Sequence, residues 1–169
     1  MSGVAKMRFM SNEALTQQLE IPRARVARTL EHLRAAVRDY GRVVYSNSLG
    51  AESMVLTDLI WTEVPEIEIF TLDTGRLHEE TYSLIERLER RYQRKMKVYY
   101  PDPAALEPWI GRNGINGFYD SIENRQGCCH IRKIEPFRRA IAGCGAWVTG
   151  VRHEQSATGS ALASAERAR

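Results

Sequence analysis

The stretch that decides the fold is residues 43–58, which run Val-Val-Tyr-Ser-Asn-Ser-Leu-Gly-Ala-Glu-Ser-Met-Val-Leu-Thr-Asp. Its first three residues are β-branched or aromatic, as in a short buried strand. Apolar residues from Met54 onward recur at helical spacing, and small polar residues with Gly50 lie between the two segments. This order is typical of a phosphate site, because loop N–H groups and a helix N-terminus attract an anion. An ordinary tight turn is the alternative, since Ser, Asn and Gly are common there.

The composition of the 169 residues is that of one soluble domain, with 43% hydrophobic and 27% charged residues and a net charge of +3. No apolar run reaches membrane length and no signal pattern is present, so we expect a cytoplasmic protein without a membrane span. The mild basic excess suits an anionic small molecule and does not predict nucleic-acid binding. Cys128 and Cys129 are adjacent and Cys144 makes the count odd, which indicates metal or redox chemistry rather than disulfides.

Alternating strand and helix patterns predict an α/β fold with a parallel, doubly wound sheet and flanking helices. The predicted strands are 43–45, 67–72, 96–100 and 146–149, and the predicted helices are 12–20, 22–40, 77–92, 104–111, 118–124 and 136–142, with one more that includes residues 54–60 and ends before Pro65. We expect a helical segment at residues 1–40, a core domain at 41–158 and a disordered tail at 159–169. Ligands of such sheets lie beyond the carboxyl ends of the strands, so the turn at 73–76 is expected to join the first loop at one crevice.

Three separated blocks of the sequence resemble one family. The blocks are Ser46-Asn47-Ser48-Leu49-Gly50-Ala51-Glu52, then Thr71-Leu72-Asp73-Thr74-Gly75-Arg76-Leu77-His78, and last Cys128-Cys129-x-x-Arg132-Lys133-x-x-Pro136 with Trp147-x-Thr149-Gly150-x-Arg152-x-x-Gln155-Ser156. They resemble the pyrophosphate loop, the second strand end and the cluster- and sulfate-binding region of the assimilatory adenylylsulfate and phosphoadenylylsulfate reductases. This family is a branch of the adenine-nucleotide α-hydrolase-like, pyrophosphate-loop proteins. The blocks span about residues 40–158 in the family's order.

The resemblance implies a site for a nucleotide that is joined to sulfate. The substrate-binding residues it implies are Ser46, Asn47, Ser48 and Gly50 at the α-phosphate, Asp73, Thr74, Gly75 and Arg76 near the adenosine, and Lys133 and Arg152 at the sulfate. It also implies that Cys128 and Cys129 ligate two irons of a four-iron, four-sulfur (4Fe-4S) cluster. The family reaction takes sulfate towards cysteine biosynthesis. A cysteine thiolate accepts the sulfur, AMP or adenosine 3′,5′-bisphosphate leaves, and thioredoxin or a similar thiol releases sulfite.

Two parts of the family pattern do not occur in this chain. One is a second cysteine pair of C-x-x-C type, and the other is the Glu-Cys-Gly-Leu-His motif that carries the catalytic cysteine. No cysteine follows Cys144. We therefore expect no catalytic residue in this chain, and we expect it to be an N-terminal piece of a reductase, truncated or frameshifted near Thr158 and inactive by itself.

The sequence leaves several interpretations open. The chain can be part of a reductase or a nucleotide-binding remnant without turnover, and a pyrophosphate-loop enzyme that uses ATP is a third alternative. Lys133 with Arg132 can be only a basic pair at a helix end, the two adjacent cysteines can be inert thiols, and Asp73 can be only a turn former. Cys144 is predicted to be a packing residue. The sequence is compatible with either adenylylsulfate or phosphoadenylylsulfate as the substrate. It is also compatible with a homo-oligomer.

Overall fold

The computed structural model describes residues 23–150. The strands are β1 (Val43–Ser46), β2 (Glu68–Leu72), β3 (Lys97–Tyr99) and β4 (Ala146–Thr149). The helices are α1 (Arg23–Tyr40), α2 (Ala51–Glu63), α3 (Glu79–Tyr92), α4 (Pro103–Asn113), a 3₁₀ turn (Gly117–Tyr119), α5 (Ile122–Cys129), a π-helical turn (His130–Ile134) and α6 (Glu135–Ile141). The predicted helix at 12–20, the tail at 159–169 and Arg152 lie outside the described residues. None of the helices described is both long and apolar enough to cross a membrane.

The four strands form one parallel sheet in the order β3-β2-β1-β4. The strand β1 is central and pairs with β2 through Tyr45 and Ile69 and with β4 through Tyr45 and Val148. Each crossover between neighbouring strands contains a helix, because parallel strands cannot be joined by a tight hairpin. The predicted doubly wound α/β architecture is confirmed, and the carboxyl ends of β1 and β2 lie side by side at one edge.

Alternate residues of the central strands point into two separate apolar clusters, one on each face of the sheet. Val43 and Tyr45 pack with residues of α1, α2 and α3 on one face. Val44 packs on the other face with Phe70 and with Cys144, which is buried as predicted. Because strand side chains alternate between faces, both faces of β1 are covered, and Val43, Val44 and Tyr45 are all buried.

Most element boundaries agree with the sequence pattern, and their causes are local. The helix α1 ends at Tyr40, and Gly41 follows with a left-handed φ of 72°. The helix α2 ends before Pro65. The third strand is shorter than predicted, because it ends at Tyr99, whose ring packs edge-on against Phe70. The following Tyr100 is 56% exposed and is not part of the strand.

The prediction of a helix at 118–124 is wrong. A 3₁₀ turn ends at Tyr119, Ser121 then caps a new helix by accepting from the N–H of Asn124, and helical backbone continues to Ile141. We call residues 122–141 the cysteine helix. It comprises α5, the π-helical turn and α6, so the cysteine pair lies within helical backbone and not between two helices. The predicted helix at 136–142 is the last part of this continuous element.

Candidate functional site

The loop after β1 is held in shape by the buried side chain of Asn47. Its Nδ2 donates to Thr57 Oγ1 at 2.7 Å, and its Oδ1 accepts from the backbone N–H of Leu49 at 2.7 Å. Leu49 has a left-handed φ of 60°, which is uncommon for a residue with a side chain. The Asn47 amide therefore stabilises a bend that carries the chain from Ser46, at the end of β1, into α2.

Two serine hydroxyls meet in the same loop. The Oγ atoms of Ser48 and Ser53 are 2.7 Å apart, and the Ser48 N–H donates to Ser53 Oγ at 3.3 Å. Gly50 is the N-cap of α2 and has no side chain to cap the first N–H groups of this 13-residue helix. Uncapped N–H groups and the helix dipole favour an anion at this position. The predicted phosphate residues therefore form a loop with the polarity of an anion site.

The loop after β1 is tied directly to the end of β2. The Asn47 N–H donates to the carbonyl of Phe70 at 2.8 Å, and Thr71 Oγ1 donates to the carbonyl of Asn47 at 2.9 Å. The first two sequence blocks are thus neighbours at the carboxyl edge of the sheet, as the strand order requires.

The turn at residues 73–76 is organised around the Asp73 carboxylate, which is almost fully buried. Its Oδ1 accepts from the N–H of Gly75 at 2.7 Å, and its Oδ2 accepts from the hydroxyl of Tyr82 at 2.8 Å. The hydrogen bond to Asp73 raises the pKa of Tyr82, because the carboxylate favours the protonated phenol. Gly75 has a left-handed φ of 70°, which a glycine adopts without steric cost.

Arg76 joins this turn to the segment before the cysteine helix. Its Nη1 donates to the carbonyl of Ile115 at 2.9 Å, its Nη2 donates to Asn116 Oδ1 at 2.7 Å, and its guanidinium lies 4.8 Å from the centre of the Phe118 ring. The side chains of Asp73 and Arg76 therefore both make internal contacts that shape the turn.

The cysteine helix brings the third sequence block to the same turn. Cys128 is buried and Cys129 is exposed. One turn later, Arg132 is only 6% exposed, and its Nη1 donates to the carbonyl of Thr74 at 2.6 Å. This contact joins residues 58 positions apart, so the second and third blocks meet in space.

A cavity of about 260 Å³ opens where the turn, the 3₁₀ turn and the cysteine helix meet. Its lining residues are Thr74, Arg76, Phe118, Arg125, Cys128, Cys129, Arg132 and Lys133. Four of these eight side chains are cationic and none is acidic. A cavity with this lining favours an anionic occupant.

Five of the predicted site residues line this cavity: Thr74, Arg76, Lys133, Cys128 and Cys129. The neighbouring loop contains four more of the predicted residues: Ser46, Asn47, Ser48 and Gly50. The last two, Asp73 and Gly75, do not line the cavity but are hydrogen-bonded to each other within the turn. Arg152 lies outside the described residues. The sequence interpretation did not assign Phe118, Arg125 or a supporting role for Tyr82. The sequence assigns Arg132 no site role beyond the motif and a possible basic pair with Lys133, although its position four residues after Cys128 places it on the same helix face as that cysteine.

The described residues do not form a complete site for a four-iron cluster. Such a cluster requires four thiolates, and Cys128 and Cys129 supply two. Within residues 23–150, no group of three His, Cys, Asp or Glu side chains is arranged to hold a metal ion. The third thiol, that of Cys144, belongs to the apolar cluster on the far face of the sheet from α1, where burial raises its pKa.

Comparisons with known proteins agree with the sequence blocks. The family model described as phosphoadenosine phosphosulfate reductase domain matches residues 42–168. The chain is 49% identical over 142 residues to adenosine 5′-phosphosulfate reductase of Allochromatium vinosum, which covers 84% of this chain and 56% of that protein. The enzyme of the same name from Burkholderia cepacia is 44% identical over 146 residues, 86% of this chain and 57% of that protein.

A third relative is similar over a shorter segment. The adenosine 5′-phosphosulfate reductase of Neisseria meningitidis serogroup B is 50% identical over 123 residues, 72% of this chain and 50% of that protein. The chain spans about half the length of the curated relatives it matches. On this family match and these identities, the chain belongs to the phosphoadenosine phosphosulfate reductase domain family.

Proposed function

We propose that this chain binds adenylylsulfate, or its 3′-phosphorylated form, as the nucleotide-holding part of a sulfonucleotide reductase. The observation that carries the proposal is a cavity beside the loop after β1, which the cysteine helix shares with the turn at residues 73–76, here called the β2 turn. Three sequence blocks that resemble one family thus converge at one edge of the sheet. The names of the relatives, adenosine 5′-phosphosulfate reductase, support the substrate class.

In this proposal the α-phosphate lies in the loop after β1. Hydroxyls such as that of Ser48, together with the first N–H groups of α2, donate hydrogen bonds to its oxygens. The adenosine lies along residues 73–76. The sulfo group enters the cationic cavity, where Lys133 donates a charge-assisted hydrogen bond to it, with Arg152 as a second cation from outside the described residues.

The reaction that we propose for the whole enzyme transfers the sulfo group to a thiolate. The thiolate attacks the sulfur, the bond from sulfur to the phosphate oxygen breaks, and AMP leaves with the bonding electrons. An external thiol such as thioredoxin then attacks the sulfur of the cysteine, so that a disulfide forms and sulfite is released. The first N–H groups of α2 and the hydroxyls of the loop after β1 offset the negative charge that moves onto the leaving phosphate.

We assign no catalytic residue to the three cysteines of this chain. Cys144 packs on Val44 and Phe70 within the sheet core and does not line the cavity. Cys128 and Cys129 resemble the metal-binding pair of the family, and they provide a thiol pair rather than a complete cluster site. No step of the proposed reaction passes through a cluster.

A second candidate function is nucleotide binding without turnover. It is favoured by the internal hydrogen bonds of the loop after β1, which form within one strand–loop–helix segment and require nothing from the rest of a larger enzyme. Sulfite release tests whether this chain carries out the complete reaction by itself. With adenylylsulfate and a thiol reductant, we expect the 169-residue chain to bind the nucleotide and to release no sulfite. Sulfite production would assign the complete reaction to this chain and would contradict the binding-only function.

Calorimetric titration with adenylylsulfate and with AMP tests the binding proposal. We expect adenylylsulfate to bind about tenfold more tightly than AMP, because the sulfo group gains a charge-assisted hydrogen bond worth roughly 1.5 kcal/mol. In Lys133→Ala this advantage should be lost. Lys95→Ala is the matched control, because Lys95 is exposed and pairs with Glu89 far from the cavity. Equal affinities for the two nucleotides in the unaltered chain, or the same loss in both variants, would contradict the proposal.

A further inference from the structure

We propose that Arg132 is a positioning residue that holds the β2 turn against the cysteine helix, so that the two walls of the cavity keep a fixed separation. The inference rests on the proposed function, which assigns one of these walls to the adenosine and the other to the sulfo group. It concerns a side chain that the proposed function leaves without a role.

The first support is the burial of the Arg132 charge. Arg132 as a residue is only 6% exposed, and within residues 23–150 its guanidinium makes no ion pair with a carboxylate. Its Nη1 instead donates to the carbonyl of Thr74, while its buried Nε has no hydrogen-bond partner among the described residues. Burying a charge with an unsatisfied donor is costly, so fold stability alone does not explain this side chain.

The second support is the shape of the turn. A Cβ placed on Gly75 would lie 3.2 Å from Arg132 Nη1, a contact closer than nine in ten that real Cβ atoms make. Residue 75 also has a left-handed backbone that favours glycine. The turn therefore fits closely against the guanidinium, and a side chain at position 75 would require it to shift by a few tenths of an ångström.

The third support is the backbone that carries Arg132. The cysteine helix widens into a π-helical turn at His130–Ile134, and the N–H of Glu135 donates to the carbonyl of His130, five residues back. This turn shifts the register between the cysteine pair and the following segment. Such turns are uncommon and are found frequently at functional sites. Here the π-helical turn carries the buried arginine that contacts the β2 turn.

The other side-chain hydrogen bonds of the β2 turn connect it to elements other than the cysteine helix. Asp73 connects it to Tyr82 on α3, and Arg76 connects it to residues 115 and 116. The Arg132 hydrogen bond connects it to the helix that carries Cys128 and Lys133. Loss of this bond would let the two walls separate while the fold stays intact.

Alkylation by iodoacetamide, with each cysteine followed by mass spectrometry of the full chain, tests the inference without any nucleotide. In Arg132→Gln we expect Cys128 to react at least roughly fivefold faster, because local opening exposes it. Cys129 should change little since it is exposed already, and Cys144 should keep its slow rate because it is buried in the apolar cluster with Val44 and Phe70 and does not line the cavity. Arg125→Gln is the matched control, because it removes an equal charge from the same cavity and helix.

Gly75→Ala provides a test that keeps every charge. We expect it to speed Cys128 alkylation as Arg132→Gln does, and the double variant should show no further increase because both changes break one contact. Gly114→Ala controls for backbone strain, since Gly114 also has a left-handed φ but has open space around its Cα. An unchanged Cys128 rate in both variants, or equal acceleration of Cys144, would overturn the inference.

Nucleotide affinity then separates this inference from the proposed function. We expect Arg132→Gln to reduce the ratio of adenylylsulfate to AMP affinity by about fivefold, because only adenylylsulfate contacts both walls. If the unaltered chain shows no preference for adenylylsulfate, the proposed function fails while the alkylation result still decides the role of Arg132. If the preference exists and Arg132→Gln leaves it unchanged, the positioning role is wrong.

Discussion

The loop after β1 and the cavity on the cysteine helix are built from contacts of very different range. In the loop, the side chain of Asn47 bonds to residues two and ten positions away, and Ser48 bonds to a residue five away. At the cavity, Arg132 contacts a residue 58 positions away, and Arg76 contacts one 39 away. Side-chain contacts within a short segment thus shape the first region, although its backbone also bonds to β2, whereas the second region exists only after the sheet has formed.

The largest effect that we expect concerns Asn47, whose amide is the centre of the local region. Asn47→Ala should lower the free energy of unfolding by about 2–4 kcal/mol, because it removes the buried donor to Thr57 Oγ1 and leaves the Leu49 N–H without its partner. Urea unfolding followed by circular dichroism measures this loss.

The matched control in the other region is Asn124→Ala. Asn124 Nδ2 donates to the carbonyl of Gly117 at 3.0 Å, at a site that is only partly buried. Water can replace this bond, so we expect a loss of about 1 kcal/mol. Equal losses in the two variants would show that the loop after β1 is no more strongly specified than the long-range region.

A smaller effect is expected for Ser53, which supports the loop without defining its bend. Ser53→Ala removes the hydroxyl that contacts the Oγ and N–H of Ser48. We expect affinity for AMP to fall about tenfold, equivalent to about 1.4 kcal/mol, because Ser48 is no longer held in place for the phosphate. Titration calorimetry measures the change. Thr62→Ala is the control on the same helix, since its hydroxyl bonds only to the exposed backbone of Asp58; a similar fall there would count against a role in the loop.

The difference in range also explains which features the sequence predicted. The four strands, the buried Cys144 and the loop after β1 follow from short patterns, and all of them except the end of β3 agree with the structure. Apolar periodicity and small polar loops can be recognised from residues that are close together in the sequence. The end of β3 differs because packing of Tyr99 on Phe70, a contact between strands, decides it.

The cysteine helix shows why the remaining part was not predictable. Gly127 and Pro136 indicate breaks in the pattern, so the sequence predicted two helices with the cysteines between them. In the structure a Cβ on Gly127 would lie 3.2 Å from Trp109 Nε1, so glycine permits α5 to pack closely on α4. Pro136 falls in the first turn of α6, where its missing N–H is tolerated. Both residues meet requirements of tertiary packing that no local pattern reveals.

Substitution of Arg76 tests the long-range region. We expect it to lower stability less than Asn47→Ala does. Arg76→Gln removes two hydrogen bonds, to the Ile115 carbonyl and to Asn116, and the contact with the Phe118 ring. These groups are exposed, so we expect a loss of roughly 0.5–1 kcal/mol, measured by urea unfolding. Arg112→Gln is the control on the neighbouring helix α4. A loss at Arg76 as large as that expected at Asn47 would remove the contrast between the two regions.

The smallest effect is a pH dependence at the β2 turn, where the two regions meet. The hydrogen bond to Asp73 raises the pKa of Tyr82 above its ordinary value of 10.0. A group whose pKa is higher in the folded state stabilises the fold below its unfolded pKa, and this stabilisation is lost as pH rises through the folded pKa. Wild type should therefore exceed Tyr82→Phe in urea midpoint by a constant amount up to about pH 10, and the difference should shrink above it.

Comparing wild type with Tyr82→Phe separates the pH dependence that is due to Tyr82 from that of the other tyrosines. Tyr45 and Tyr92 also have raised pKa values, chiefly through burial, but both residues are present in wild type and variant, so their contributions cancel. Tyr119→Phe is the matched control, because it removes the hydroxyl of an exposed tyrosine. If the midpoint difference for Tyr82→Phe stays constant to pH 11, the carboxylate of Asp73 does not hold the phenol, and the turn depends on Arg76 and Arg132 instead.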